Sequence, residues 1–183
     1  MPRLIVLNGP PAIGKTTLAR RYVDEHPLAL ALDIDSVRRM FGRWRDDATK
    51  AGLLARAMTL TMAGAHLRQG YDVVLPQFLA RIEFLQQAEQ VATDSDAQFC
   101  EFVLMDDRDA AVRRFNARTA AAAEPAHVEA GEVVAAHGGD DALFTMYDRL
   151  LLVISARPRA QVVQCPEGGA DDVYATLRRL IEA

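Results

Sequence analysis

The sequence predicts an α/β fold in which a parallel sheet carries helices on both faces. Two observations predict it. Strand-length apolar runs alternate with segments of helical period along the chain, and parallel neighbours need a crossover of that kind. The stretch Gly9-Pro10-Pro11-Ala12-Ile13-Gly14-Lys15-Thr16-Thr17 separates the first such strand from the first such helix, and it fits Gly-x-x-x-x-Gly-Lys-[Ser/Thr]. No internal repeat or linker divides the 183 residues, so we read residues 1–183 as a single domain.

Arg3 to Leu7 forms the first strand, and Leu18, Tyr22 and Val23 recur at helical spacing after the glycine loop. His26-Pro27 stops that period, and Leu28 to Leu32 forms the second strand, which ends at Asp33-Ile34-Asp35-Ser36. If the strand persists that far, alternation puts Asp33 and Asp35 on one side; Ser36 or Asp35 is expected to cap the helix carrying Val37, Arg38, Met40 and Phe41. Capping alone accounts for one of the two aspartates. Gly42-Arg43-Trp44-Arg45 breaks the pattern, and Asp46-Asp47 opens a long helix that ends at Gly70.

Tyr71 to Leu75 is the third strand, followed by Pro76-Gln77-Phe78. A helix over 81–92 leads to a fourth strand over 98–105, and a helix over 106–118 starts with acidic residues and carries Arg113, Arg114 and Arg118 near its end. Residues 119–140 change character, with an alanine run, Pro125 and Gly138-Gly139 but few large apolar side chains, and are the candidate for a mobile lid. Asp140 to Ile154 has helical spacing, although its tail Leu150 to Ile154 also fits a strand. Ala160 to Cys165 is the fifth strand, Pro166 to Gly169 a loop, and Asp171 to Glu182 an amphipathic helix.

The residue types of the glycine loop suit a polyphosphate. Glycines let the backbone curl around the anion with several N–H groups inward, and the new helix adds its positive end. Lys15 would reach the β- and γ-phosphates, and the Thr16 hydroxyl would ligate magnesium. Four fixed positions match by accident roughly once in a hundred chains of this size or less. A glycine-bearing turn before an ordinary helix also leaves the lysine unexplained.

The net charge of -4 offers no general attraction to nucleic acid or anionic membrane, so small neutral or cationic substrates are expected before long polyanions. No apolar stretch approaches the roughly 20 residues that span a bilayer, and Met1-Pro2-Arg3 enters a strand without the build of a signal peptide, so a cytoplasmic protein is expected. Cys100 and Cys165 each sit in an apolar run and are expected to be buried thiols, and the four histidines show no ligand spacing. Oligomeric state is not legible here.

With these motifs in place, the chain resembles the kinases of the P-loop NTPase fold that phosphorylate small molecules and nucleic-acid ends: shikimate, gluconate and polynucleotide kinases and the phosphotransferases that inactivate chloramphenicol. The resemblance covers most of the chain in element order, with its sharp motifs in the first third. It implies a five-stranded parallel sheet of the nucleoside- and nucleotide-kinase kind with a lid. ATP would lie on the loop from Gly9 to Thr17, and the acceptor between the regions after the second and third strands. The implied activity is ATP- and Mg2+-dependent transfer of the γ-phosphoryl group to a hydroxyl of a small metabolite or antibiotic. A 5′-hydroxyl polynucleotide kinase and a non-catalytic nucleotide-binding module are the alternatives; the acidic balance disfavours nucleic acid.

The same resemblance implies roles. Asp35 matches the aspartate that orients or deprotonates the acceptor hydroxyl, and its spacing to Arg38 looks like the Asp-x-x-Arg of the polynucleotide kinases, which makes Arg38 a substrate or phosphate contact. Asp33 is left to orient magnesium-bound water. Arg114 and Arg118 stand where the Arg-x-x-x-Arg of a catalytic lid begins, while Pro166 to Gly169 matches an adenine-contacting loop by position. The third strand departs from the pattern: it ends Val74-Leu75-Pro76-Gln77, without the aspartate that helps to hold magnesium. Either Asp33 or Asp35 takes over that outer shell, or Thr16 and phosphate oxygens hold the metal. Met40, Phe41, Trp44, Phe78 and Arg81 flank the implied acceptor pocket, with Trp44 available to stack a ring.

Overall fold

Leu4 to Leu7 are all buried, which is why their strand is continuously apolar rather than alternating. Arg3–Asn8 forms β1, and its side chains divide between two cores: Ile5 and Leu7 pack with Leu18, Tyr22 and Phe102 on one face, and Val6 packs with Val37, Ala55 and Leu85 on the other. The computed structural model describes residues 1–123 and 125–183.

After β1 come α1 (Lys15–Glu25), β2 (Leu30–Ala31), α2 (Ile34–Arg39), a 3-10 turn (Trp44–Asp47), α3 (Ala48–Leu67), β3 (Val73–Pro76) and α4 (Ile82–Thr93). The chain continues through β4 (Gln98–Met105), α5 (Arg108–Ala121), α6 (Pro125–Ala136), α7 (Asp140–Ala156), β5 (Gln161–Gln164) and α8 (Ala170–Glu182). The sheet is parallel throughout, with order β2-β3-β1-β4-β5. The chain moves to one side of β1 for β2 and β3 and to the other for β4 and β5, so a crevice opens at the carboxyl end of β1, where open α/β sheets bind ligands. The five-stranded α/β architecture is the one expected.

Several boundaries differ from the expected ones, for physical reasons. The second strand shrinks to Leu30–Ala31; at the start of the expected run Leu28, just after Pro27, takes a left-handed φ of 62° that no strand accommodates and is 65% exposed. With the strand ended early, alternation no longer relates Asp33 to Asp35: Asp35 lies inside α2. Asp33 itself is the cap, rather than Ser36 or Asp35, accepting hydrogen bonds from the backbone N–H groups of Asp35 and Ser36. The third strand runs Val73–Pro76, and Asp72 just before it accepts from the Arg3 N–H and the Tyr22 hydroxyl through its carboxylate. Leu150 to Ile154 is helical, continuous with the rest of α7.

The stretch expected as a lid divides. Residues 119–121 complete α5, Glu124 lies outside the described residues, and the remainder is mostly α6, in which no residue is fully buried. Both cysteines are buried free thiols.

Candidate functional site

Asn8 ends β1 fully buried, and its side chain ties three points together. Its Oδ1 accepts from the N–H groups of Gly9 and Leu79, both at 2.8 Å, while its Nδ2 donates to the Leu79 carbonyl at 2.8 Å. The loop then turns at Gly9, whose φ is +146° and where a Cβ would lie 2.5 Å from the Leu104 carbonyl oxygen of β4. Gly14, with φ 106°, caps α1 without a side-chain hydrogen bond, so the first-turn N–H groups face outward as an anion site. Thr16 and Thr17 stand exposed on that turn.

The Lys15 ammonium folds back onto this loop and donates to the carbonyls of Gly9 at 2.8 Å and Pro10 at 2.7 Å. Burial, reinforced by the Arg118 guanidinium, pulls its pKa down from 10.5 to about 7; Asp35 and Asp33 act in the opposite sense. Both candidate carboxylates are therefore within electrostatic reach of the lysine. Asp33 uses Oδ1 for its cap bonds, at 2.8 and 3.3 Å. Asp35 accepts from Gln77 Nε2 at 3.2 Å and pairs with Arg38 at 3.2 Å. Gln77 thus occupies the place after β3 where an aspartate was missed, and it orients Asp35.

Arg38 also pairs with Glu129 of α6 at 3.4 Å, and its guanidinium lies 4.6 Å from the centre of the Trp44 ring. Arg45 stands 4.5 Å over the same ring and reaches Glu129 at 3.6 Å. The Trp44 ring is therefore engaged by its own neighbours, which leaves little of it for a substrate ring. Arg114 is similarly occupied: it donates to Asp106 Oδ2 at 3.1 Å, the Cys165 carbonyl at 2.6 Å and the Ile13 carbonyl at 3.3 Å. That geometry braces the glycine loop against the ends of β4 and β5, including the residue before the loop Pro166 to Gly169. Arg118, one turn on, is the arginine whose charge bears on Lys15, while Arg113 is exposed.

Beside Asp35 lies a cleft of about 400 Å³ lined by Arg56, Phe78, Leu79, Ala80, Arg81, Phe84 and Arg149. Phe78 and Arg81 were expected there; Trp44 and Met40 do not line it, and Met40 is 75% exposed. Arg56 and Arg149 carry no local motif. Asn8, Gln77 and Glu129 were also missed, and only Asn8 left a trace: a polar residue closing an apolar strand directly before the loop.

Thr16, Asp33 and Asp35 offer a hydroxyl and two carboxylates beside the loop. Such hard oxygen donors fit Mg2+, which prefers one or two protein ligands and fills its octahedron with water and phosphate oxygens. Among the described residues no helix is long and apolar enough to cross a membrane.

No curated protein matches the sequence. Solved structures match it in fold. A Chloroflexus aurantiacus protein assigned as a kinase superposes with a TM-score of 0.65 at 17% identity, covering 99% of this chain and 96% of that one. The APS kinase of Mycobacterium tuberculosis, in complex with AMPPNP and APS, gives 0.64 at 19% identity, with 100% and 98% covered. A gluconokinase from Sinorhizobium meliloti 1021 gives 0.62 at 17% identity, with 99% and 94% covered. These share its P-loop architecture. The family model described as AAA domain matches residues 4–137, well over half the chain, and the protein belongs to that family.

Proposed function

We propose that this protein is an ATP- and Mg2+-dependent kinase that transfers the γ-phosphoryl group to a hydroxyl of a small organic molecule. The observation that carries the reading is the position of Asp35. Its charge acts both on Lys15 of the phosphate loop and on Arg56 of the neighbouring cleft, and Gln77 and Arg38 fix its carboxylate between the two. The likeness in fold to an APS kinase and a gluconokinase supports it.

In this reading the N–H groups of the loop and of the first turn of α1 hold the triphosphate, and Lys15 exchanges the Gly9 and Pro10 carbonyls for phosphate oxygens. Mg2+, held by Thr16 with Asp33 or Asp35 in its outer shell, would neutralise charge on the β- and γ-oxygens. Asp35 accepts the proton of the acceptor hydroxyl as its oxygen bonds to the γ-phosphorus and the bond to the bridging oxygen of ADP breaks. Arg118 faces the charge that develops on the γ-phosphoryl group, a role worth roughly 10³ to 10⁵ in rate. Arg114 serves as a positioning residue through Ile13. The segment around α6 acts as the lid, and we read the protein as cytoplasmic.

The test is Asp35→Asn, with Gln77→Ala beside it. Phosphoryl transfer should fall by about 10² to 10⁴ in the first while affinity for an ATP analogue stays within a factor of a few. Full transfer by Asp35→Asn would remove the assignment of the base.

A further inference from the structure

The cleft beside Asp35 is lined by arginine from three separate elements: Arg56 on α3, Arg81 at the start of α4 and Arg149 on α7. Among the described residues these three take part in no ion pair or side-chain hydrogen bond, whereas Arg38, Arg108, Arg114 and Arg157 each hold a carboxylate. Carboxylates are not scarce, since the chain has 25 acidic residues against 21 basic ones, yet no aspartate or glutamate lines this cleft. Arg56 is half-buried on one wall, where burial and the charges of Arg81 and Arg38 disfavour its protonated form and only Asp35 favours it.

Like charges gathered around a partly desolvated cleft without counter-charge mark a place where an anion is expected from outside. Phe78 and Phe84 line the same cleft, so its occupant has an apolar side as well as an anionic one. Asp35 is the one carboxylate acting on Arg56, but Arg38 and Gln77 already share it, so it does not balance the three arginines of the cleft.

Building on the proposed kinase reading, we infer that the phosphoryl acceptor is a small hydroxyl compound carrying an oxyanion group, a carboxylate or a phosphate, which Arg56, Arg81 and Arg149 receive while its hydroxyl faces Asp35. This departs from the expectation, drawn from overall charge, of small neutral or cationic substrates before long polyanions. The net charge averages over the surface; the cleft does not. Guanidinium forks suit either oxyanion, so the chemistry shared by the two is the claim.

The test uses matched probes: gluconate against glucose, and glycerol 3-phosphate against glycerol, titrated by calorimetry into the full chain with no nucleotide present. At least one anion should bind where its uncharged partner does not, and the arm that binds tells carboxylate from phosphate. Arg81→Gln/Arg149→Gln, both at exposed positions, should weaken that binding about tenfold to a hundredfold, and the lysine counterparts should restore part of it. Affinity of this double variant for an ATP analogue should stay unchanged.

Four outcomes would overturn the inference: no anion binding even at tens of millimolar, equal binding of the uncharged partners, anion affinity indifferent to the substitutions, or parallel loss of ATP-analogue affinity. Arginine-dependent binding of a labelled oligonucleotide far tighter than the small anions would overturn it too. Because the anion is read without nucleotide, a wild-type chain that binds no ATP analogue ends the kinase reading separately.

Discussion

Asn8 and Leu79 exchange two hydrogen bonds across 71 residues of sequence, each 2.8 Å long and both buried. Through them the end of β1, which launches the phosphate loop, is fixed to the segment that lines the arginine cleft. Asn8→Ala would leave the Leu79 N–H, the Leu79 carbonyl and the Gly9 N–H without their partner. At about 1 to 3 kcal/mol for a buried orphan, partly relieved by relaxation, the loss should be about 3 kcal/mol. Chemical denaturation measures it, and a loss below 1 kcal/mol would show that the two segments hold their places without this residue.

The two glycines of the loop should fail in different ways. A methyl at Gly9 meets a backbone carbonyl of the central sheet, which has no flexible end to give, so Gly9→Ala should disrupt the loop and abolish nucleotide affinity. At Gly14 the space is open, and only the φ of 106° resists a side chain, at a cost of about 1 to 2 kcal/mol. Thermal melts with and without an ATP analogue should therefore rank Gly9→Ala well below Gly14→Ala. Equal effects would mean that backbone strain rather than the Leu104 clash governs the loop.

Nucleotide affinity should fall as pH rises above neutrality. In the free protein Lys15 loses its proton near pH 7, below its ordinary 10.5, whereas a bound triphosphate demands the charged form. Below about pH 7 the lysine is already charged and affinity is flat. Above it, binding must take up a proton, and the dissociation constant rises by up to about tenfold per pH unit. Calorimetry at pH 8 in buffers of different ionisation enthalpy should show uptake of close to one proton, absent in Lys15→Met if that variant still binds. No uptake would place the lysine's true pKa well above 8.

What could be read from sequence followed from spacing along the chain. The loop from Gly9 to Thr17 announces itself because its chemistry is contiguous, and β1, β3 and β4 because both faces of the sheet are covered along them. Asp35 was singled out by resemblance, and alternation was to set its side; the expected strand stopped at Ala31, so helix α2 presents it instead. Arg114 and Arg118 were grouped by one helical turn, yet folding gives the first to the Ile13 and Cys165 carbonyls and leaves the second near Lys15. Arg56 and Arg149 were invisible, since 93 residues apart on two helices they converge only through packing. Glu129 was hidden in an alanine-rich stretch whose composition says little about which side chain turns inward.

Glu129 is the side chain through which α6 holds the site. That helix buries no residue completely, and the carboxylate reaches Arg38 at 3.4 Å and Arg45 at 3.6 Å on the opposite side of the crevice. With Arg45 largely exposed, the arrangement is worth about 1 kcal/mol rather than several. Glu129→Gln should therefore raise amide exchange across 125–136 roughly fivefold, leaving β1 and β4 as protected as before. Arg38 would then have Asp35 as its remaining carboxylate, so the variant should alter the acceptor's KM more than its kcat. Unchanged exchange in α6 would show that its packing on α5 and α7, and not this pair of arginines, keeps the segment in place.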